Sequence, residues 1–224
     1  KIFNNVKDFL KNQKNKVDYT MCAISGISGL EPLIDIIKIT KNLAIANKES
    51  IICGWNLIQK KIVKYNVKFI PIDSEHFSIQ SLIKNNKNME IDTIFITASG
   101  GPFLKTPMTQ FKNISAKKAT KHPNWKMGKK ISVDSSTLMN KVFEIIEAQR
   151  IFKLPISKFK ILIHPKSYLH SIVKFHDGTS KLLIHDTSMM IPIFNSLFND
   201  DSTKKLKTKK INLNIINNLN LSNV

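Results

Sequence analysis

Two carboxylates, Asp73 and Glu75, stand two residues apart in Pro71-Ile72-Asp73-Ser74-Glu75-His76, at the end of an apolar run that reads as a buried strand. Open α/β sheets place their ligands at that end of a strand. In an extended backbone, side chains two apart point to one side, so the pair can offer hard oxygen ligands to Mg2+ or Mn2+. The same residues also fit an Asp/Ser helix cap with an acidic first turn, which needs no metal. A second constellation lies in Ser132-Val133-Asp134-Ser135-Ser136-Thr137-Leu138-Met139-Asn140-Lys141-Val142-Phe143-Glu144. A helix over 135–150 puts Leu138, Met139, Val142, Phe143, Ile145 and Ile146 on one arc and Asn140, Lys141 and Glu144 on the opposite one. Those three can converge on one ligand, while Ser135 at the helix start offers free N–H groups to a phosphate. An ordinary amphipathic helix with a solvated polar face and a Lys141–Glu144 pair explains the spacing equally well.

Two loops add candidates. Ala98-Ser99-Gly100-Gly101-Pro102-Phe103 follows a strand, and its glycines let the backbone approach a ligand closely beside the Ser99 hydroxyl. His122-Pro123-Asn124-Trp125-Lys126-Met127-Gly128 carries a Trp in a long loop, which fits either a closing lid or a side chain packed on its own domain. His164, His170, His176 and His185 lie on or near strands without the helical spacing of a metal site and read as structural.

The elements that must hold these residues follow from the apolar pattern. Strands over 19–24, 43–46 and 67–72 alternate with helices over 30–38 and 50–64, which is half of a parallel, nucleotide-binding fold. From Asp73 the pattern becomes mixed: a helix over 77–85, a strand over 93–98, a polar loop over 100–130, the helix over 135–150 and strands over 159–164, 171–176 and 181–185. The expectation is therefore an α/β chain: a partial nucleotide-binding domain over 1–72, an α+β catalytic domain over 73–198, and a linker or disordered tail over 199–224. Lys1 starts inside a helical pattern without an initiator Met, so the chain reads as truncated at its front.

The chain has 224 residues, 42% of them hydrophobic, enough to bury a core, and no apolar run approaches the roughly 20 residues of a membrane span. Cys22 and Cys53 lie in apolar segments without metal-ligand spacing, so they read as buried reduced thiols of an intracellular protein. A net charge of +19 suggests a polyanion as partner, but of the 35 basic residues only Arg150 is arginine. Lysines scattered among Asn and Ile are what AT-rich codons encode, and base-reading interfaces favour arginine. No nucleic-acid or membrane partner is expected, and a basic nucleic-acid-binding protein is the rival from another class.

Each motif has a bland explanation, but their order along the chain resembles one family. Gly26-Ile27-Ser28-Gly29-Leu30, Ala44-Ile45-Ala46-Asn47-Lys48-Glu49-Ser50, the 71–76 and 98–103 segments, His122 through Glu144 with Glu147-Ala148, His164-Pro165 with His170-Ser171, and Met189 to Pro192 resemble 1-deoxy-D-xylulose 5-phosphate reductoisomerases over roughly 18–198. The resemblance implies an oxidoreductase and isomerase of isoprenoid precursor synthesis. It would convert 1-deoxy-D-xylulose 5-phosphate to 2-C-methyl-D-erythritol 4-phosphate with NADPH and Mg2+, Mn2+ or Co2+. Its partial domain is then the C-terminal half of a Rossmann-like NADPH-binding domain. By the same resemblance Asp73, Glu75 and Glu144 hold the metal, and Ser99, Ser135, Asn140 and Lys141 the phosphate. Ser74, His122 and Glu144 contact the substrate, while Lys48, Glu75 and His122 are catalytic. Asn47, Lys48, Glu49 and Gly128 face the cofactor, and Trp125 and Met127 form the lid. A homodimer in the cytoplasm of a bacterium, or in a plastid-type organelle of a eukaryote, also follows. The sequence departs from the family pattern in three places. The opening strand with its glycine-rich turn and the C-terminal helical domain are absent, and His185-Asp186-Thr187-Ser188 is a poorer match than its neighbours. An inactive remnant and a different Rossmann-type oxidoreductase remain as alternatives.

Overall fold

Strands β1 (Val17–Cys22), β2 (Thr40–Ile45) and β3 (Lys68–Pro71) form a parallel sheet in the order β1-β2-β3, with Met21 opposite Ala44 and Ala44 opposite Ile70. The computed structural model describes residues 2–84, 90–122, 125, 128–198, 201, 203–207, 214, 219 and 221–223. Around this sheet run α1 (Val6–Asn12), α2 (Leu30–Ile36) and α3 (Lys48–Lys64). β2 buries Leu43, Ala44 and Ile45, as a strand paired on both sides must when helices cover its sheet. Helix α3 starts where the Asn47 side chain accepts the Ser50 N–H and ends with Lys61 and Lys64 in its last turn. Asn66 at φ 50° closes it: the Val67 N–H reaches the Ile62 carbonyl and the Asn66 N–H that of Val63, a Schellman closure. Gly54 lets α2 approach, since a Cβ there would meet Leu30 at 2.5 Å.

This first unit comprises Lys1–Asp73 with Pro192–Lys204; the second comprises Ser74–Ile191 with Lys205–Val224. The second is built on a mixed five-stranded sheet with β4 (Ile91–Ala98), β5 (Phe159–Ile163), β6 (Leu169–Phe175), β7 (Ser180–Ile184) and the short β8 (Ser222–Asn223), in the order β7-β6-β4-β5-β8. β4 runs parallel to β5 and antiparallel to β6. Its helices are α4 (Ser74–Ile83), α5 (Ala116–Ala119), α6 (Lys129–Ser136) and α7 (Met139–Phe152), and α8 (Met190–Phe198) leads back to the first unit, where Ser196 hydrogen-bonds Tyr19. Ile79, Leu82, Ile94, Ile96, Ala148, Phe159, Val173 and Phe175 make the core that seats α4 and α7 on the sheet. A parallel sheet followed by a mixed one is the α/β class that the sequence predicts.

Several expectations are corrected. The helix expected over 135–150 is two helices, because the Ser136 and Thr137 hydroxyls bond the Val133 and Asp134 carbonyls and end α6, after which Leu138 at φ 60° turns the chain. Ser135 therefore lies in the last turn of α6, not at a helix start. The loop over 100–130 contains a short 3-10 helix (Met108–Asn113) and α5. Cys53 is exposed and Cys22 only partly buried, although burial pushes the Cys22 thiol up to about 12. No helix among the described residues is long and apolar enough to cross a membrane.

Candidate metal and phosphate site

β3 ends at Pro71 and α4 begins at Ser74, so Asp73 sits in the junction and Glu75 in the first helical turn rather than on extended backbone. Ser74, Glu75 and His76 are all buried. The Ser74 hydroxyl donates to Glu75 Oε2 at 2.5 Å, and His76 Nε2 donates to the Glu144 carbonyl at 2.8 Å, which fastens α4 to α7. From α7, Lys141 Nζ donates to Glu75 Oε1 at 2.7 Å and to Glu144 Oε2 at 2.5 Å, while Asn140 Nδ2 donates to Glu144 Oε1. Asp73, the residue preceding α4, is ion-paired to Lys48 at the start of α3. One carboxylate oxygen from each of Asp73, Glu75 and Glu144 lies within 4.8 Å of the other two.

The polar arc of α7 is thus its buried one. Lys141, Glu144 and Glu147 are 8%, 2% and 2% exposed, whereas Met139 and Val142 are 44% and 45% exposed. Burying such charges costs far more than leaving them in water, unless partners of opposite sign sit beside them. Here Lys141 bridges two of the carboxylates and Lys48 meets the third. Asp73, Glu75 and Glu144 can each offer a carboxylate oxygen to a cation. An all-oxygen set fits a hard divalent ion: at about 2.1 Å from each oxygen, the oxygens stand roughly 3 to 4 Å apart. The residues present therefore fit Mg2+ or Mn2+ after a small closure.

The phosphate candidates lie in the second unit, as Glu75 and Glu144 do. Ser99 follows β4, and its hydroxyl oxygen accepts the Gly101 N–H at 3.2 Å. The Trp125 N–H donates to His122 Nδ1 at 2.9 Å, so His122 carries its proton on Nε2 and donates it to Ser99 Oγ at 3.0 Å. The Ser99 proton is then left to donate to a ligand oxygen. Gly101, at φ 69°, presses on the end of α6, where a Cβ would come 2.7 Å from the Ser135 carbonyl oxygen. That approach draws the Ser99 turn against the link from Ser135 to Asn140. The positive dipole end is the start of α7, at Asn140, and not at Ser135 as a single helix would place it. The Asn140 Oδ1 is buried without a hydrogen-bond partner among the described residues.

Burial, reinforced by the Lys141 charge, holds His122 below its usual 6.5, and burial does the same to His185 against the opposing pull of the Asp186 carbonyl and Glu75. The folded state favours neutral rings, so the unfolded chain takes up protons first. Their contribution to stability is intact above about pH 6.5 and is lost as the pH falls below it. The thermal midpoint should drop from about pH 6.5 to pH 5 more in the parent than in His122→Gln. Equal drops would remove His122 from the effect.

The remaining predicted residues distribute as follows. Asn47 ties its own turn together, donating from Nδ2 to the Ile24 and Gly26 carbonyls while capping α3, and Lys48 and Glu49 open that helix. Gly128, exposed, precedes α6 in the second unit. Trp125 rests edge-on against His170, whose ring stacks on His185 at 3.6 Å. Met127 lies outside the described residues. The sequence reading missed His76 as the clasp between α4 and α7 and the paired rings under Trp125. For His76, the available signal was its place directly after Glu75 in a helical turn, which points it to a different side.

A family model described as the 1-deoxy-D-xylulose 5-phosphate reductoisomerase C-terminal domain matches residues 69–152, and one described as 1-deoxy-D-xylulose 5-phosphate reductoisomerase matches 5–54. The chain is 62% identical, over its whole length, to the 1-deoxy-D-xylulose 5-phosphate reductoisomerase of Pelagibacter ubique (strain HTCC1062), of which it covers 58%. It is 48% identical over 81% of its length to that of Wolbachia pipientis subsp. Culex pipiens (strain wPip), covering 46% of it. The chain thus spans about half the length of these relatives. Among solved structures, a DOX-P reductoisomerase in complex with NADPH, fosmidomycin and magnesium superposes with a TM-score of 0.82 at 33% identity, over 92% of this chain and 53% of that one. The Zymomonas mobilis reductoisomerase in complex with NADPH gives 0.81 at 31% identity, over 97% and 56%.

Proposed function

Because the chain belongs to the 1-deoxy-D-xylulose 5-phosphate reductoisomerase family, we propose that it supplies the metal- and substrate-holding part of an enzyme converting 1-deoxy-D-xylulose 5-phosphate to 2-C-methyl-D-erythritol 4-phosphate with NADPH. The observation that carries this reading is the convergence of Asp73, Glu75 and Glu144 oxygens within 4.8 Å, next to a group of phosphate donors. Those three carboxylates hold Mg2+ or Mn2+, which when bound would draw charge from the substrate's carbonyl and neighbouring hydroxyl oxygens while NADPH supplies the hydride. Ser99, Ser135, Asn140 and Lys141 hold the phosphate and so fix the sugar's position over the carboxylates. Ser74 and His122 contact the substrate. Lys48, paired with Asp73, keeps a positive charge beside the reacting oxygens. Trp125 covers the substrate and excludes water. Asn47 and Glu49 of the first unit, and Gly128 of the second, are assigned to the cofactor. A homodimer in the cytoplasm belongs to the same reading, and light scattering on the eluting protein tests the dimer.

The experiment is NADPH oxidation at 340 nm with 1-deoxy-D-xylulose 5-phosphate and Mn2+. Oxidation should require all three components, stop on addition of EDTA and return with excess Mn2+. Turnover indifferent to EDTA would reject the metal role of the three carboxylates.

A further inference from the structure

Both oxygens of Glu144 and one of Glu75 are occupied by two side chains that the phosphate also needs. Asn140 Nδ2 holds Glu144 Oε1, and Lys141 Nζ holds Glu144 Oε2 at 2.5 Å and Glu75 Oε1 at 2.7 Å. Lys141 is 8% exposed, so its ammonium is held among protein groups rather than in water. Resting on the proposed metal and phosphate roles, we propose that Lys141 and Asn140 make cation and phosphate binding mutually dependent. They stay on the acidic pair until a divalent cation takes those oxygens, and then pass to a phosphate monoester.

A divalent cation on Glu75 and Glu144 competes with Lys141 for the same lone pairs and cancels the negative potential that keeps the ammonium buried. A displaced buried ammonium is stabilised by another anion nearby, because burial weakens its hydration. A phosphate at the start of α7 supplies that anion and the acceptor for Asn140 Nδ2. The exchange also runs in reverse: a monoester that draws Lys141 away bares the carboxylates and tightens the cation. Thermodynamic reciprocity requires the two effects to be equal in size.

The test is Mn2+ binding followed by electron paramagnetic resonance of the free ion, with glycerol 3-phosphate as the monoester because it has no carbonyl to chelate the metal. In the parent protein, saturating monoester should lower the Mn2+ Kd about 10-fold, and saturating Mn2+ should lower the monoester Kd by the same factor. Lys141→Met, which removes the competing charge at similar length, should bind Mn2+ about 10-fold tighter than the parent without monoester and respond to it less than about 2-fold. The proposal is overturned if the parent's Mn2+ Kd ignores the monoester, or if Lys141→Met keeps the full coupling. The parent measurement decides the matter without the variant should Lys141→Met not fold. A parent that binds no Mn2+ rejects the metal site and the coupling with it, whereas Mn2+ binding indifferent to monoester rejects the coupling alone.

Discussion

Glu144→Gln is expected to lower metal-dependent turnover by about 100- to 1000-fold, the size of loss that follows removal of one strong charge-stabilising group at a reacting centre. The substitution keeps shape and removes the charge, so a neutral amide oxygen replaces a carboxylate at the proposed cation site. The fold should survive. Lys141 retains Glu75 Oε1 at 2.7 Å, the His76 bond goes to the Glu144 backbone carbonyl rather than to its side chain, and the unpartnered Asn140 Oδ1 can turn to accept from the new amide. The thermal midpoint should therefore move by only a few degrees, the equivalent of about 1 kcal/mol. Circular dichroism melting beside the NADPH assay reads both quantities. Parent-like turnover at saturating Mn2+ would take Glu144 out of the mechanism, and a collapsed midpoint would make it a structural group instead.

Gly101→Ala should carry a large stability cost, about 2 to 3 kcal/mol. Two penalties coincide there. The backbone is at φ 69°, where an alanine is strained, and the new Cβ would stand 2.7 Å from the Ser135 carbonyl oxygen and 3.2 Å from the Ser136 Cα. Neither neighbour is a flexible side-chain end, so the turn and the end of α6 must separate. Because that contact sets Ser99 against Ser135, the variant should also lose phosphate affinity while the Mn2+ affinity changes less. Urea unfolding and equilibrium binding of glycerol 3-phosphate measure the two effects. Gly178→Ala is the comparison: Gly178 sits at φ 87° with nothing within 4 Å of its would-be Cβ, so it carries strain without collision. If both glycine variants lose the same stability, the close approach to α6 contributes nothing.

Strand positions were legible because runs such as Ile94-Phe95-Ile96-Thr97-Ala98 and Leu43-Ala44-Ile45 are apolar and β-branched enough to have one sensible fate. Their ends were less so: β4 starts at Ile91 and β2 at Thr40, since ladder pairing extends past the apolar residues. The split between α6 and α7 was hidden by a helical period that runs on through Ser135-Ser136-Thr137, where the hydroxyls compete for backbone carbonyls. Helical period also shows that α7 has two arcs but cannot say which one turns inward, and hydropathy points to the wrong one. Asp73, Glu75 and Glu144 could be nominated from residue type and order, yet the path that joins them differs from the extended one the spacing suggests. Glu75 enters from a helical turn, and His76 and Lys141 fix it against α7. Contacts across 66 and 68 residues of chain, as these are, leave no mark in local spacing.

The inward charges of α7 bear on the order in which the second unit assembles. An early hydrophobic collapse can bury Ala148 at little cost, whereas Lys141, already paired with Glu144 within α7, gains its second carboxylate only when Glu75 is in place. The first half of that helix is thus expected to dock after α4 has seated on the sheet, and small φ-values from side-chain truncations there would be its kinetic mark. The most demanding electrostatic fit in the unit would then be completed last, and the conformational search for it takes place on a scaffold that is already formed.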